Sequence, residues 1–154
     1  MANICHQNLV KLNGGCIDGP SRILVYDYME NNSLMQTLLV IGEDNNRAKL
    51  RWKSRRDISL GIARGFAYIP EEIKPHIVHR DIEVSNILLD RNRNPTNSDF
   101  GLSKLFPDNI NHISTQVAGT LAYLSPEYAI SGHLTRKSVV YMCFFLKSLA
   151  GDQP

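Results

Sequence analysis

The sequence predicts an α+β chain. Three observations carry that expectation. Two apolar runs flank a turn signal near the start, and a long central stretch repeats its apolar residues every three or four positions. From residue 77 onward the apolar pieces become short and extended.

Each element follows in order. Residues 9–17 (LVKLNGGCI) and 22–29 (RILVYDYM) read as two strands around the turn DGPS at 18–21, a hairpin. Residues 31–40 read as a short helix, capped by Ser33 or Asn32, with Leu34, Leu38 and Leu39 turned inward. The polar stretch 42–51 reads as a loop. A longer helix follows: Ser54 and Asp57 stand at capping-box spacing, and Ile58, Ile62, Phe66 and Ile69 form its inward face. Pro70 is expected to stop it or kink its last turn. HIVHRDI, NILLD and NSDFGL then read as short extended pieces. Residues 103–125 show little periodicity and read as one long loop of the kind that carries function. PEYAI (126–130) and SVVYMCFFLKSLA (138–150) read as helices, the second apolar nearly all round and so expected to be buried.

Composition narrows the class. A chain of 154 residues can hold one domain with a modest core, and 43% hydrophobic with 21% charged residues is ordinary for a soluble globular protein. A net charge of +2 gives no argument for nucleic acid or a membrane surface. The basic cluster RWKSRR (51–56) reads as a solvated helix start. Three cysteines, Cys5, Cys16 and Cys143, without a CxxC, suggest neither a disulfide framework nor a zinc site, and reduced thiols fit a cytoplasmic location. No signal peptide is visible. The longest apolar run, 139–146, is far short of the roughly 20 residues a membrane span needs, so no direct membrane anchor is expected.

The chemistry lies in joint spacing. HRD at 79–81 is followed by Asn86 at H-R-D-x4-N, then by Asp99-Phe100-Gly101, then by Ser125-Pro126-Glu127. Taken singly, Asn86 could cap a turn, Tyr26 and Phe100 could be core aromatics, and Ser114 and Thr115 could be loop contacts with solvent. The spacing tips the balance for Asp81, Asn86 and Asp99. In phosphoryl transfer one carboxylate orients the acceptor hydroxyl and takes its proton, while an amide and a second carboxylate hold Mg2+ against the phosphates.

The chain resembles plant receptor-like serine/threonine protein kinases, especially the leucine-rich-repeat group. HQNLVKL, RILVYDYMENNSL, WKSRRDISLGIARG, KPHIVHRDI, SNILLD, SDFGLSKLFP, HISTQVAGT and SPEYAISGHLTRKS all look like that group, and the likeness runs from residue 6 to about 150. It implies a protein-kinase-like fold with ATP and Mg2+ as cofactors and a protein substrate or a full-length receptor-like kinase as partner. By the same likeness Asp81 is the catalytic base and Asn86 and Asp99 are the metal ligands. Tyr26 is the gatekeeper, with Asp27, Tyr28 and Met29 as the hinge that reads adenine and Leu88 as the adenine floor. His79 and Phe100 belong to a stacked spine, Arg80 grips a phosphorylated loop, Ser114 and Thr115 are its phosphosites, and Thr120 sits near the base.

Departures from the pattern shape the functional expectation. No G-x-G-x-x-G and no V-A-I-K precede HRD. The resemblance therefore implies a truncated domain: residues 1–30 as the end of the small-lobe sheet and hinge, and 31–154 as a large lobe up to its central buried helix. Glu83 stands at the catalytic-loop lysine position, Val139 where a buried aspartate supports that loop, Ala122 for a glycine and Asn97 for an apolar strand residue. The expectation is a kinase chain impaired in catalysis. A working kinase completed by other segments, and a non-catalytic Mg2+ or nucleotide-binding or decoy module, are the alternatives.

Overall fold

The computed structural model describes residues 5–37, 52–72 and 76–141. Leu38, Leu39, the 42–51 loop, Cys143 and the helix expected beyond 141 lie outside them. The hairpin forms from β1 (Leu12–Asp18) and β2 (Ser21–Tyr26), joined antiparallel with a bulge between Leu12 and Gly14. It is shorter than the run 9–29 suggested. Leu9 instead makes a parallel bridge to Asn97, and Asp27 already lies past the strand.

Helix begins again at residue 34. Its start is a capping box: the Gln36 amide donates to Ser33 Oγ and the Ser33 amide to Gln36 Oε1, each at 3.3 Å. The central helix spans Trp52–Glu72. The predicted cap fails here, because Ser54 lies inside the first turns and Asp57 pairs with its neighbour Arg56 at 3.1 Å on the surface. Pro70 does not end the helix, which runs two residues further. Pro70 lies in the helix's last turn, where it removes the bond that an amide would give to the Phe66 carbonyl. The inward face is as the spacing predicts: Ile58, Ile62, Phe66 and Ile69 are buried.

Short ladders follow. β3 (His76–Val78) pairs with β6 (Lys104–Phe106), β4 (Ile87–Leu89) with β5 (Pro95–Asn97), and β7 (His112–Ser114) with β8 (His133–Thr135), all antiparallel. The expected structureless loop 103–125 therefore contains two strands. Three residues are too few to show a period of two, so the sequence pattern could not reveal them. A helix at Pro126–Ser131 matches PEYAI.

The central helix packs on β5 and β3. The approach is close because two glycines face it: a Cβ on Gly61 would stand 2.4 Å from the Pro95 ring, and one on Gly65 2.2 Å from Asn97 Nδ2. Around this contact the core gathers Val78, Ile82, Val84, Ile87, Leu89, Phe106, Leu124, Tyr128 and Leu134.

Two burial expectations are corrected. Tyr26 is not a core aromatic but is 39% exposed, as the hairpin's side chains are turned to solvent. In the helical turns at 136–141 it is Ser138 that is buried, while Val140 and Tyr141 are exposed. Among the described residues no helix is long and apolar enough to cross a membrane.

Candidate functional site

The site is built on the β4–β5 ladder. Ile87 opposes Asn97, so the next residues outward, Asn86 and Ser98, also face each other. The Ser98 amide and hydroxyl both donate to the Asn86 carbonyl, at 2.9 and 2.8 Å. This double clasp sets Asp99 directly beyond the segment that carries Asp81 and Asn86. Asp99 takes a left-handed backbone conformation (φ 58°) and its Oδ1 accepts the Gly101 amide at 3.1 Å. A non-glycine residue there carries strain that only a well-braced site retains.

Asp81 is held at both carboxylate oxygens. Asn86 Nδ2 donates to Oδ2 at 3.1 Å and to the Asp81 carbonyl at 3.0 Å, and the Thr120 amide donates to Oδ1 at 3.3 Å. The expected neighbours Asp81, Asn86 and Thr120 thus come together, 39 residues apart in chain at the widest.

Behind them, His79 is buried and stacked. Its ring stands 4.6 Å from Phe100 and 5.5 Å from Phe66, edge-on to both. Nε2 contacts the Ser98 carbonyl at 2.9 Å and Nδ1 receives the Asp81 amide at 3.3 Å, a pair of contacts that one neutral tautomer satisfies with Nε2 as donor. Burial pushes the imidazole below its ordinary pKa, against the smaller opposing pull of the Ser98 carbonyl and of Asp81 and Asp99. Phe66 was legible as an inward helix residue but not as the third ring of this stack.

Arg80 also has a positive φ, 70°. Its guanidinium donates to the Leu102 carbonyl at 2.5 Å and to the Gln116 carbonyl and Tyr128 hydroxyl at 3.4 Å. The buried Tyr128 hydroxyl accepts the Ala118 amide at 3.0 Å and contacts the Gln116 carbonyl at 3.3 Å. Sequence reasoning missed Tyr128, because apart from Arg80 its partners are backbone groups that leave no residue-type signature. Of the two expected phosphosites, Ser114 is exposed on β7, while the Thr115 hydroxyl meets Lys104 Nζ at 2.5 Å.

Glu83 departs from the pattern most. Thr120 Oγ1 donates to one of its oxygens and Ser85 Oγ to the other. Its charge also helps hold the Tyr123 phenol above its ordinary pKa, after burial as the larger cause. Val139 lines an apolar cavity of about 350 Å³ with Phe66, Ile77 and His79.

The expected adenine residues are placed less tightly. Asp27 accepts from Asn13 Nδ2 at 2.7 Å, Tyr28 is 83% exposed, Met29 is half-buried, and half-buried Leu88 bridges to Ser33.

The donor set suits a hard cation. Asn86 spends its Nδ2 on Asp81, which leaves its amide oxygen as the donor atom, and the Asp99 turn contact uses Oδ1 and not Oδ2. Amide and carboxylate oxygens are what Mg2+ takes alongside phosphates. The residues present fit the metal.

Catalytic-type loop, DFG turn and stacked rings on one α+β frame define a protein kinase domain, of which these residues form part. The chain belongs to the protein tyrosine and serine/threonine kinase family, whose family model matches residues 1–144. It is 53% identical over 141 residues to cold-responsive protein kinase 1 of Arabidopsis thaliana, covering 92% of this chain and 36% of that one. It is 58% identical over 136 residues to a putative serine/threonine-protein kinase of Helianthus annuus, covering 88% and 55%. It is 51% identical over 141 residues to a probable leucine-rich-repeat receptor-like serine/threonine-protein kinase of Arabidopsis thaliana, covering 92% and 13%. The chain thus spans little more than half of one of these relatives and far less of the others.

Proposed function

We propose that this chain carries the large-lobe half of a plant receptor-like serine/threonine kinase site, binds Mg2+ and ATP weakly at most, and transfers phosphate poorly. Residues 1–30 supply hinge and sheet remnant, and 31–154 an incomplete large lobe. Asp81 is the base position, Asn86 and Asp99 the metal ligands, Tyr26 to Met29 and Leu88 the adenine contacts, and Arg80, Ser114, Thr115 and Thr120 the regulatory set. Bound Mg2+ would screen phosphate charge; this chain's own residues orient the acceptor hydroxyl at Asp81.

One observation carries the impairment: Glu83, two residues from Asp81, holds a carboxylate where a lysine would face the transferred phosphate. Two unit charges about 4 Å apart interact by roughly 4 kcal/mol at an effective dielectric near 20. Exchanging attraction for repulsion therefore costs several powers of ten in rate.

The test is phosphate incorporation into a generic Ser/Thr substrate, with a thermal melt with and without Mg-ATP. No incorporation above background is expected. Turnover typical of the family would refute the reading. Glu83→Lys alone is expected to leave the chain inactive, since no Gly-rich loop or β3-type lysine lies within these 154 residues. Incorporation by that variant would show Glu83 to be the sole defect.

A further inference from the structure

The β7–β8 ladder carries two histidines that the phosphoryl-transfer reading does not use. His112 opposes Thr135 and His133 opposes Ser114, so the two histidines sit diagonally on neighbouring strands. Alternation settles which face they share. Ile113 is half-buried and Leu134 fully buried on one side, which leaves His112, Ser114, His133 and Thr135 on the other. Both histidines are exposed, and their rings lie 4.8 Å apart between centroids, tilted by 44°.

We propose that His112 and His133 form a two-imidazole site for a borderline divalent transition-metal ion, Ni2+, Cu2+ or Zn2+. An ion about 2.0–2.1 Å from an imidazole nitrogen lies roughly 3.2 Å from that ring's centroid. Two centroids 4.8 Å apart then subtend about 100° at a shared ion. That angle, reached when both exposed rings rotate to aim a nitrogen at one ion, falls between the square-planar or octahedral right angle and the tetrahedral one. Solvent completes the coordination, and the Ser114 hydroxyl lies on the same face as a further oxygen donor. Imidazole donors select Ni2+, Cu2+ and Zn2+ and discriminate against Mg2+, which separates this site from Asn86 and Asp99. A bound ion would cross-link β7 to β8 and so tie the segment after the DFG turn to the strand after the Pro126–Ser131 helix.

The test uses the whole chain and Ni2+ in a non-coordinating buffer, followed by calorimetry, ring-proton NMR and thermal melting. One equivalent is expected, with the His112 and His133 ring signals broadening together at substoichiometric metal. The melting midpoint should rise with Ni2+ and not with equal Mg2+. His112→Gln and His133→Gln should each weaken binding at least ten-fold while melting like the parent without metal. Broadening confined to other groups, such as His6 or the exposed Cys5 and Cys16, would overturn the assignment. So would variants that bind as tightly as the parent.

Discussion

Replacing Asn97 with leucine should stabilise the protein. Asn97 is fully buried in β5, and its Oδ1 has no hydrogen-bond partner. Its Nδ2 donates to the Ile62 carbonyl at a long 3.3 Å. That carbonyl lies within the central helix, where the Phe66 amide four residues on is its regular partner, so losing the side-chain bond strands nothing. The orphaned acceptor costs about 1–3 kcal/mol. Leucine has nearly the same branched shape, though its methyl groups are bulkier than the amide and must repack against the close Gly65 contact. A net gain of about 1–2 kcal/mol follows once repacking is allowed for. With unfolding entropy near 2.1 cal/mol/K per residue, 154 residues give roughly 0.3 kcal/mol/K, so the midpoint should rise by about 3–6 °C. Differential scanning calorimetry measures it. An unchanged or lowered midpoint would mean that Oδ1 is satisfied, by an internal water for instance, and would refute the argument.

Three other outcomes are expected. Stability should fall on acidification through the ordinary histidine range: buried His79 stays neutral when folded and takes a proton when unfolded, so the unfolded state binds more protons below about pH 6.5. Melts between pH 7.5 and 5.5 should show a shallower decline in His79→Phe than in the parent. Tyr128→Phe should cost about 1–3 kcal/mol in denaturant unfolding, because the Ala118 amide loses its acceptor and Arg80 a contact. Gly119→Ala should cost about 2 kcal/mol or more, since φ is +103° and the new Cβ would stand 2.2 Å from the Arg80 carbonyl; a midpoint within error of the parent would count against that packing.

What the sequence made legible follows physical range. The inward face of the central helix was legible because a 3.6-residue period repeats over about three turns, from Ile58 to Ile69. The grouping of Asp81, Asn86 and Asp99 was legible because the motif's spacing encodes a ladder register, Ile87 against Asn97. The Arg80–Tyr128 brace was not, since the two side chains stand 48 residues apart and their other partners are mainly backbone groups. Nor was the exposure of Tyr26 and the hairpin: apolar alternation shows that a strand has faces, not whether anything packs against them.

The β1–β2 hairpin has a consequence for how the molecule breathes. Its strands are paired chiefly with each other, and Ile17, Ile23, Leu24 and Val25 all face solvent. A two-stranded ribbon without a covered face has little to hold it shut. Its amides should therefore trade hydrogen for deuterium through a private opening, with low protection that denaturant barely changes. The amides of β3 and β5, packed on the central helix, and of their ladder partners β6 and β4 should wait for the whole fold to open.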